Sequence, residues 1–351
     1  MRWPWADTAT TWLLLAGGRG GLYTWCIMAD PTATRTLPTA LGAESADWME
    51  HAETCPVGVL DRLKFGLVRG VLVGLMHLLG LRGLYVFGKA FGTCEWLINS
   101  RMRRRVFNRL KGMLGTEKTD KELSRAVYRF FVRVRCDKIL YLILDHIDKQ
   151  KIIERIEFVG KEHIDEALQR GKGLYIMLSH HGAHHVAALL MALLGYNTAG
   201  VRDRKEGAIR RYVQWRYART FPEFRRLRYF FADGFPRGVY RCFQENFVVG
   251  TALDVDRDRG KHLKTVKVDL FGQPQNFLTG TAQIALRCGA PILQGFVVSC
   301  EGFRFRLVVR EPLADPRKVS DNPDDLMKIM RRYASNIEEH MRRYPCHISK
   351  F

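Results

Sequence analysis

From residue 156 onward, short apolar runs alternate with amphipathic stretches, and no other feature limits the possible folds as strongly. Strands are expected over residues 156–159, 174–179, 198–201, 247–253, 266–270, 291–298 and 303–309. Between them, helical spacing predicts helices over 163–169, 183–194, 210–217, 281–288 and 322–344. Such alternation predicts an α/β protein with a mixed central sheet and helices on both faces. The runs at 174–178 and 247–253 are apolar almost throughout, as in strands buried on both faces.

The N-terminal part reads differently. Residues 1–60 are rich in Thr, Ala, Gly and Pro without sustained periodicity, and are expected to form a disordered leader, with Met28 an alternative start. Residues 61–150 are expected to be a helical, membrane-associating segment, and 151–351 the α/β domain. An apolar stretch at 70–81 is bounded by Arg69 and Arg82 and falls short of the ~20 residues that span a bilayer comfortably. It suits a buried core helix or one lying in the interface, with its arginines reaching the headgroups. Residues 101–111 form a cationic amphipathic stretch, and Thr119 with Glu122 is a capping box opening a long helix to about Leu144.

Lys and Arg number 56 against 36 Asp and Glu, a formal charge of +20. A surface of this kind favours anionic lipid, acidic proteins or nucleic acid. No RRM, KH, zinc-finger or helix-turn-helix signature accompanies it, so a nucleic-acid partner is not expected. The eight cysteines are scattered singly, as in a reducing compartment, and no zinc-ligand spacing occurs among them.

The candidate site follows the run 174–178. His180, His181, His184 and His185 fall within six residues, after a strand and before a helix. Open α/β sheets place their chemistry at such strand ends. The spacing of His180 and His185 lets the second orient the first as a general base. His181 and His184 read as polar groups lining the mouth of a cleft. The i, i+4 pair His181 and His185 has zinc spacing but lacks the glutamate and a third ligand, so no metal is expected.

Four segments resemble the lysophospholipid acyltransferase-like superfamily, and within it the bacterial acyltransferases that add secondary acyl chains to lipid A or related glycolipids. They are Ser179–His185; Ala199–Arg202; the collinear set Asp256–Gly260, Asp269–Gly272, Thr279–Ala282 and Cys288–Pro291; and Arg343-Tyr344-Pro345. The resemblance implies a glycerolipid acyltransferase-like fold and no cofactor. It implies transfer of a fatty acyl group from an acyl carrier protein or coenzyme A thioester to a hydroxyl of a lipid or glycolipid. The place would be the cytoplasmic face of the inner membrane, with an anionic membrane surface as partner. It casts His180 as the base and His185 as its orienting partner. Arg202, Asp256, Asp258, Phe271, Gly272 and Gly280 become substrate-binding residues.

The chain departs from the pattern at position 185, where the family has a carboxylate. Three readings of that departure stay open: a differently tuned His185, a carboxylate from elsewhere with Asp256 and Asp258 as candidates, or a lipid-binding protein that kept the fold and lost the reaction.

Overall fold

The structure is a computed structural model describing residues 58–202, 208–231, 237–254 and 264–349. The expected leader, with Met28, lies outside these residues except for its last three positions.

Two helices lead the fold, α1 (Val59–Ile98) and α2 (Ser100–Leu114). The third, α3 (Asp120–Ile143), opens on the expected capping box: the Thr119 hydroxyl accepts from Glu122 N–H while the Glu122 carboxylate accepts from Thr119 N–H. A short α4 (Lys149–Ile153) then hands the chain to the sheet. In order follow β1 (Ile156–Val159), α5 (Lys161–Gln169), β2 (Leu174–Leu178), α6 (Ala187–Leu193) and β3 (Thr198–Arg202). Next come α7 (Ala208–Thr220), β4 (Arg228–Phe231), α8 (Arg237–Gln244) and β5 (Val248–Ala252). A hairpin, β6 (Thr265–Leu270) and β7 (Gln273–Leu278), leads to α9 (Gly280–Cys288), β8 (Ile292–Cys300), β9 (Arg304–Val309) and α10 (Pro323–Arg343).

Seven strands form one sheet in the order β1-β9-β8-β2-β5-β3-β4, parallel throughout except between β8 and β9. This is the mixed sheet that the alternation predicts. β6 and β7 pair antiparallel apart from it. The centre of the sheet carries no polar face: β2 and β8 bury residues of both alternations.

The N-terminal helices share their core with the sheet. Leu110, Leu123, Phe130 and Phe131 pack in one cluster with Tyr175, Met177 and Val249. Full burial of each such side chain contributes roughly 1.5–3 kcal/mol. The expected helix over 183–194 begins later than spacing suggested. A 3-10 turn, His184–Val186, precedes α6, because Gly182 at φ +77° bends the chain between strand and helix.

Candidate active site

Strand register brings the site together. β2 and β5 are parallel neighbours with Leu178 opposite Ala252. Two residues beyond that pair stand His180 on one strand end and Asp254 on the other, so continuing the register places them side by side. The Asp254 carboxylate accepts from His180 backbone N–H at 2.8 Å through each oxygen, and its Oδ1 lies 2.9 Å from His180 Nδ1. A carboxylate can only accept there, so Nδ1 carries the proton and the lone pair sits on Nε2. The Asp254 side chain is 5% exposed and the His180 side chain 38%. A buried carboxylate behind a half-exposed imidazole is the arrangement of a general base and its orienting group.

The Asp254 carboxylate thus stands at His180 Nδ1, a second candidate beside His185 for the orienting role. The His185 ring stands edge-on to Tyr141 at 5.5 Å and to His184 at 5.9 Å. His184 is the ring beside His180, edge-on at 4.9 Å. Burial, then the neighbouring imidazoles, push the His184 pKa well below its ordinary value and keep it neutral. Asp254 is the candidate site residue that sequence reading missed. Its signal was available only through strand register: it closes the run 247–253, two positions before Asp256.

The loop that presents His180 is held from several sides. Gly182 N–H donates to His347 O at 2.7 Å and Ala183 N–H to Val297 O at 3.0 Å. Ser349 N–H donates to His181 Nδ1 at 3.2 Å, which leaves the His181 Nε2 proton facing Asp254 Oδ2 at 3.8 Å. Arg133 of α3 anchors the C-terminal segment through Cys346 O at 2.9 Å. From α10, the Tyr333 hydroxyl donates to Leu178 O at 2.6 Å and fixes the end of β2. A side chain at Gly182 has no room, because a Cβ there would lie 2.5 Å from Val297 O. Gly182→Ala is expected to lower stability by about 1–3 kcal/mol. Urea unfolding checks the loss, and kcat should fall with it as His180 shifts.

Behind the loop lies a second group of imidazoles. His181, His340 and His347 are all buried, His340 stacks on Phe296 at 4.2 Å, and His347 Nδ1 lies 3.3 Å from His340 Nε2. Burial is the first cause that lowers their pKa values, to about 4 for His181 and about 3 for His340, with His347 pushed down likewise. The unfolded chain takes up these protons below about pH 6.5, while the folded chain resists until far lower. Stability from this cluster is then complete above pH 6.5 and is lost as pH falls toward 3–4. Urea midpoints measured at pH 7.5 and pH 5 should drop at the lower pH. Replacing His340 with Phe should flatten the drop.

The remaining expected site residues fall in different places. Arg202 ends β3, which pairs with the other edge of β5, so β2, β5 and β3 present their C-terminal ends in a row. The Arg202 side chain lies outside the described part, as do Asp256 and Asp258. Phe271 and Gly272 are the two central residues of the β6–β7 turn, both at positive φ (52° and 70°), the requirement of a tight hairpin. Phe271 N–H donates to Glu338 at 2.6 Å, and the Arg342 guanidinium stands over the Phe271 ring, so this turn is held against α10. Gly280 opens α9 with open space where a Cβ would be.

The chain matches the family described as bacterial lipid A biosynthesis acyltransferase over residues 63–347. It belongs to that family. The match runs from α1 through the segment that clasps the histidine loop. Two curated relatives are phosphatidylinositol mannoside acyltransferases. The one from Mycolicibacterium smegmatis is 24% identical over 159 residues, 45% of this chain and 49% of the relative. The one from Mycobacterium tuberculosis is 25% identical over 154 residues, 43% and 47%. The chain thus spans about half the length of the curated relatives it matches.

Proposed function

We propose that this protein is an acyltransferase that moves a fatty acyl group from a thioester to a hydroxyl of a lipid or glycolipid. The observation that carries the reading is the contact of His180 Nδ1 with the buried Asp254 carboxylate. His180 Nε2 takes the proton of the acceptor hydroxyl, and the oxygen attacks the thioester carbonyl. The tetrahedral intermediate collapses by breaking the carbon–sulfur bond, and the imidazolium returns its proton to the departing thiolate. Asp254 holds the productive tautomer and offsets the imidazolium charge. The reading of an inactive lipid binder rested on the missing carboxylate at position 185, and Asp254 offers one from the neighbouring strand.

Family membership supports a lipid acceptor, and the names of the relatives support a glycolipid with anionic headgroup character. Arg202, at the third strand end in the row, is suited to a headgroup phosphate through its bidentate fork. The donor is an acyl carrier protein or coenzyme A thioester, and both are acidic partners for a chain of charge +20. The site of action is the cytoplasmic face of the inner membrane.

The test is acyl transfer by the purified chain, with both thioester classes offered against a membrane lipid extract. Thioester-dependent acylated lipid that disappears in His180→Ala is the expected result. Lipid bound by both proteins, with no product from either, would sink the enzyme reading.

A further inference from the structure

α1 is long and apolar enough to cross a membrane by length and composition. Its contacts argue against a crossing. Arg69, buried, pairs with Asp145 just past α3, and its Nε donates to Leu142 O at 3.0 Å. Near the other end, Glu95 pairs with Arg135 in the middle of α3. Between these clamps Gly88 and Gly92 lie against α3 so closely that a Cβ on Gly92 would stand 2.6 Å from Val132 Cα. The clamps are 26 positions apart, roughly 39 Å of helix at 1.5 Å per residue, and a hydrocarbon core is about 30 Å thick. The part before Arg69 is ten residues, about 15 Å, too short to span, and its Phe65 is buried with its ring 5.8 Å from that of Tyr212. At Gly80 (φ +66°) the helix bends midway along its course over the domain.

The opposite face of α1 is apolar and bare. Leu60, Leu67 and Leu78 are 72%, 71% and 82% exposed, and Leu63, Leu79 and Val86 continue the face. The exposed charges that accompany it share one sign. Arg62, Lys64, Arg82 and Lys89 on α1, with Arg101, Arg104, Arg105 and Lys111 on α2, are exposed, and no carboxylate from Val59 to Gly115 is. Apolar side chains flanked by cations match the boundary between acyl chains and anionic headgroups.

We infer that α1 is an in-plane anchor: it seats the protein on one leaflet of an anionic bilayer by its Leu60–Val86 face, without crossing. The inference draws on the lipid-acyltransferase reading only for the choice of a bilayer as occupant, and its test reads binding and depth without activity. The full chain should float with vesicles of phosphatidylglycerol and phosphatidylethanolamine, and bind pure phosphatidylcholine at least tenfold more weakly. Leu67→Asp with Leu78→Asp should weaken binding at least tenfold while leaving the urea midpoint in place, because both side chains are already exposed. With NBD probes carried singly at positions 60, 78 and 97 and protein bound from outside, membrane-impermeant dithionite should quench all three. A probe at position 60 that stays protected until the vesicles are lysed would mean that α1 crosses. A soluble dimer that does not float would assign the apolar face to a second copy. Either result overturns the inference.

Discussion

Asp254→Asn is expected to leave the fold intact and lower kcat by about 10⁴, the loss seen when the carboxylate of a catalytic triad is made a neutral amide. The amide is nearly isosteric, and its oxygen can still accept from His180 backbone N–H. What disappears is the negative charge facing the imidazolium. If the amide NH₂ instead faces Nδ1, the lone pair is drawn to that nitrogen and Nε2 becomes protonated, so the base is spent. The readout is kcat in steady state together with KM for the acceptor, since the Asp254 side chain is buried while that of His180 is partly exposed. A variant with unchanged kcat and raised KM would reassign Asp254 to substrate binding.

His180→Gln should remove transfer to the limit of detection, a loss of at least about 10³. Glutamine keeps a polar side chain of similar reach in a position 38% exposed, so folding is not at issue. Because base and carboxylate act as one unit, the double variant with Asp254→Asn should be hardly worse than His180→Gln alone. Losses that multiplied would mean that the two residues act in separate steps.

The fold was legible wherever hydrophobic pattern carries the information. The run 174–178 is apolar at every position because both faces are covered, and the strands 156–159 and 304–309 alternate because β1 and β9 each have one open face. The capping box at Thr119 needed only local chemistry. β4, β7 and α8 escaped sequence reading for physical reasons. β7 carries Gln273, Pro274 and Asn276 exposed, so its pairing with β6 leaves no apolar period. β4 is four residues long behind a run of arginines, and α8 only two turns.

His180 was legible because the strand before it points to it. Asp254 was not, because the contact joins residues 74 positions apart and depends on which strand lies beside β2. A one-residue change of register would have brought a different side chain to His180. The clasp of residues 345–349 on the histidine loop is hidden for a related reason: on its own side it uses only backbone groups, His347 O and Ser349 N–H, which every sequence possesses.

The most direct test compares Asp254→Asn with His185→Gln in the same acyl-transfer assay, scored as kcat. The structure predicts a loss of about 10⁴ in the first and no more than about tenfold in the second, since His185 packs against Tyr141 while Asp254 holds Nδ1. The reverse ranking, with His185→Gln inactive and Asp254→Asn close to wild type, would contradict it and return the orienting role to position 185.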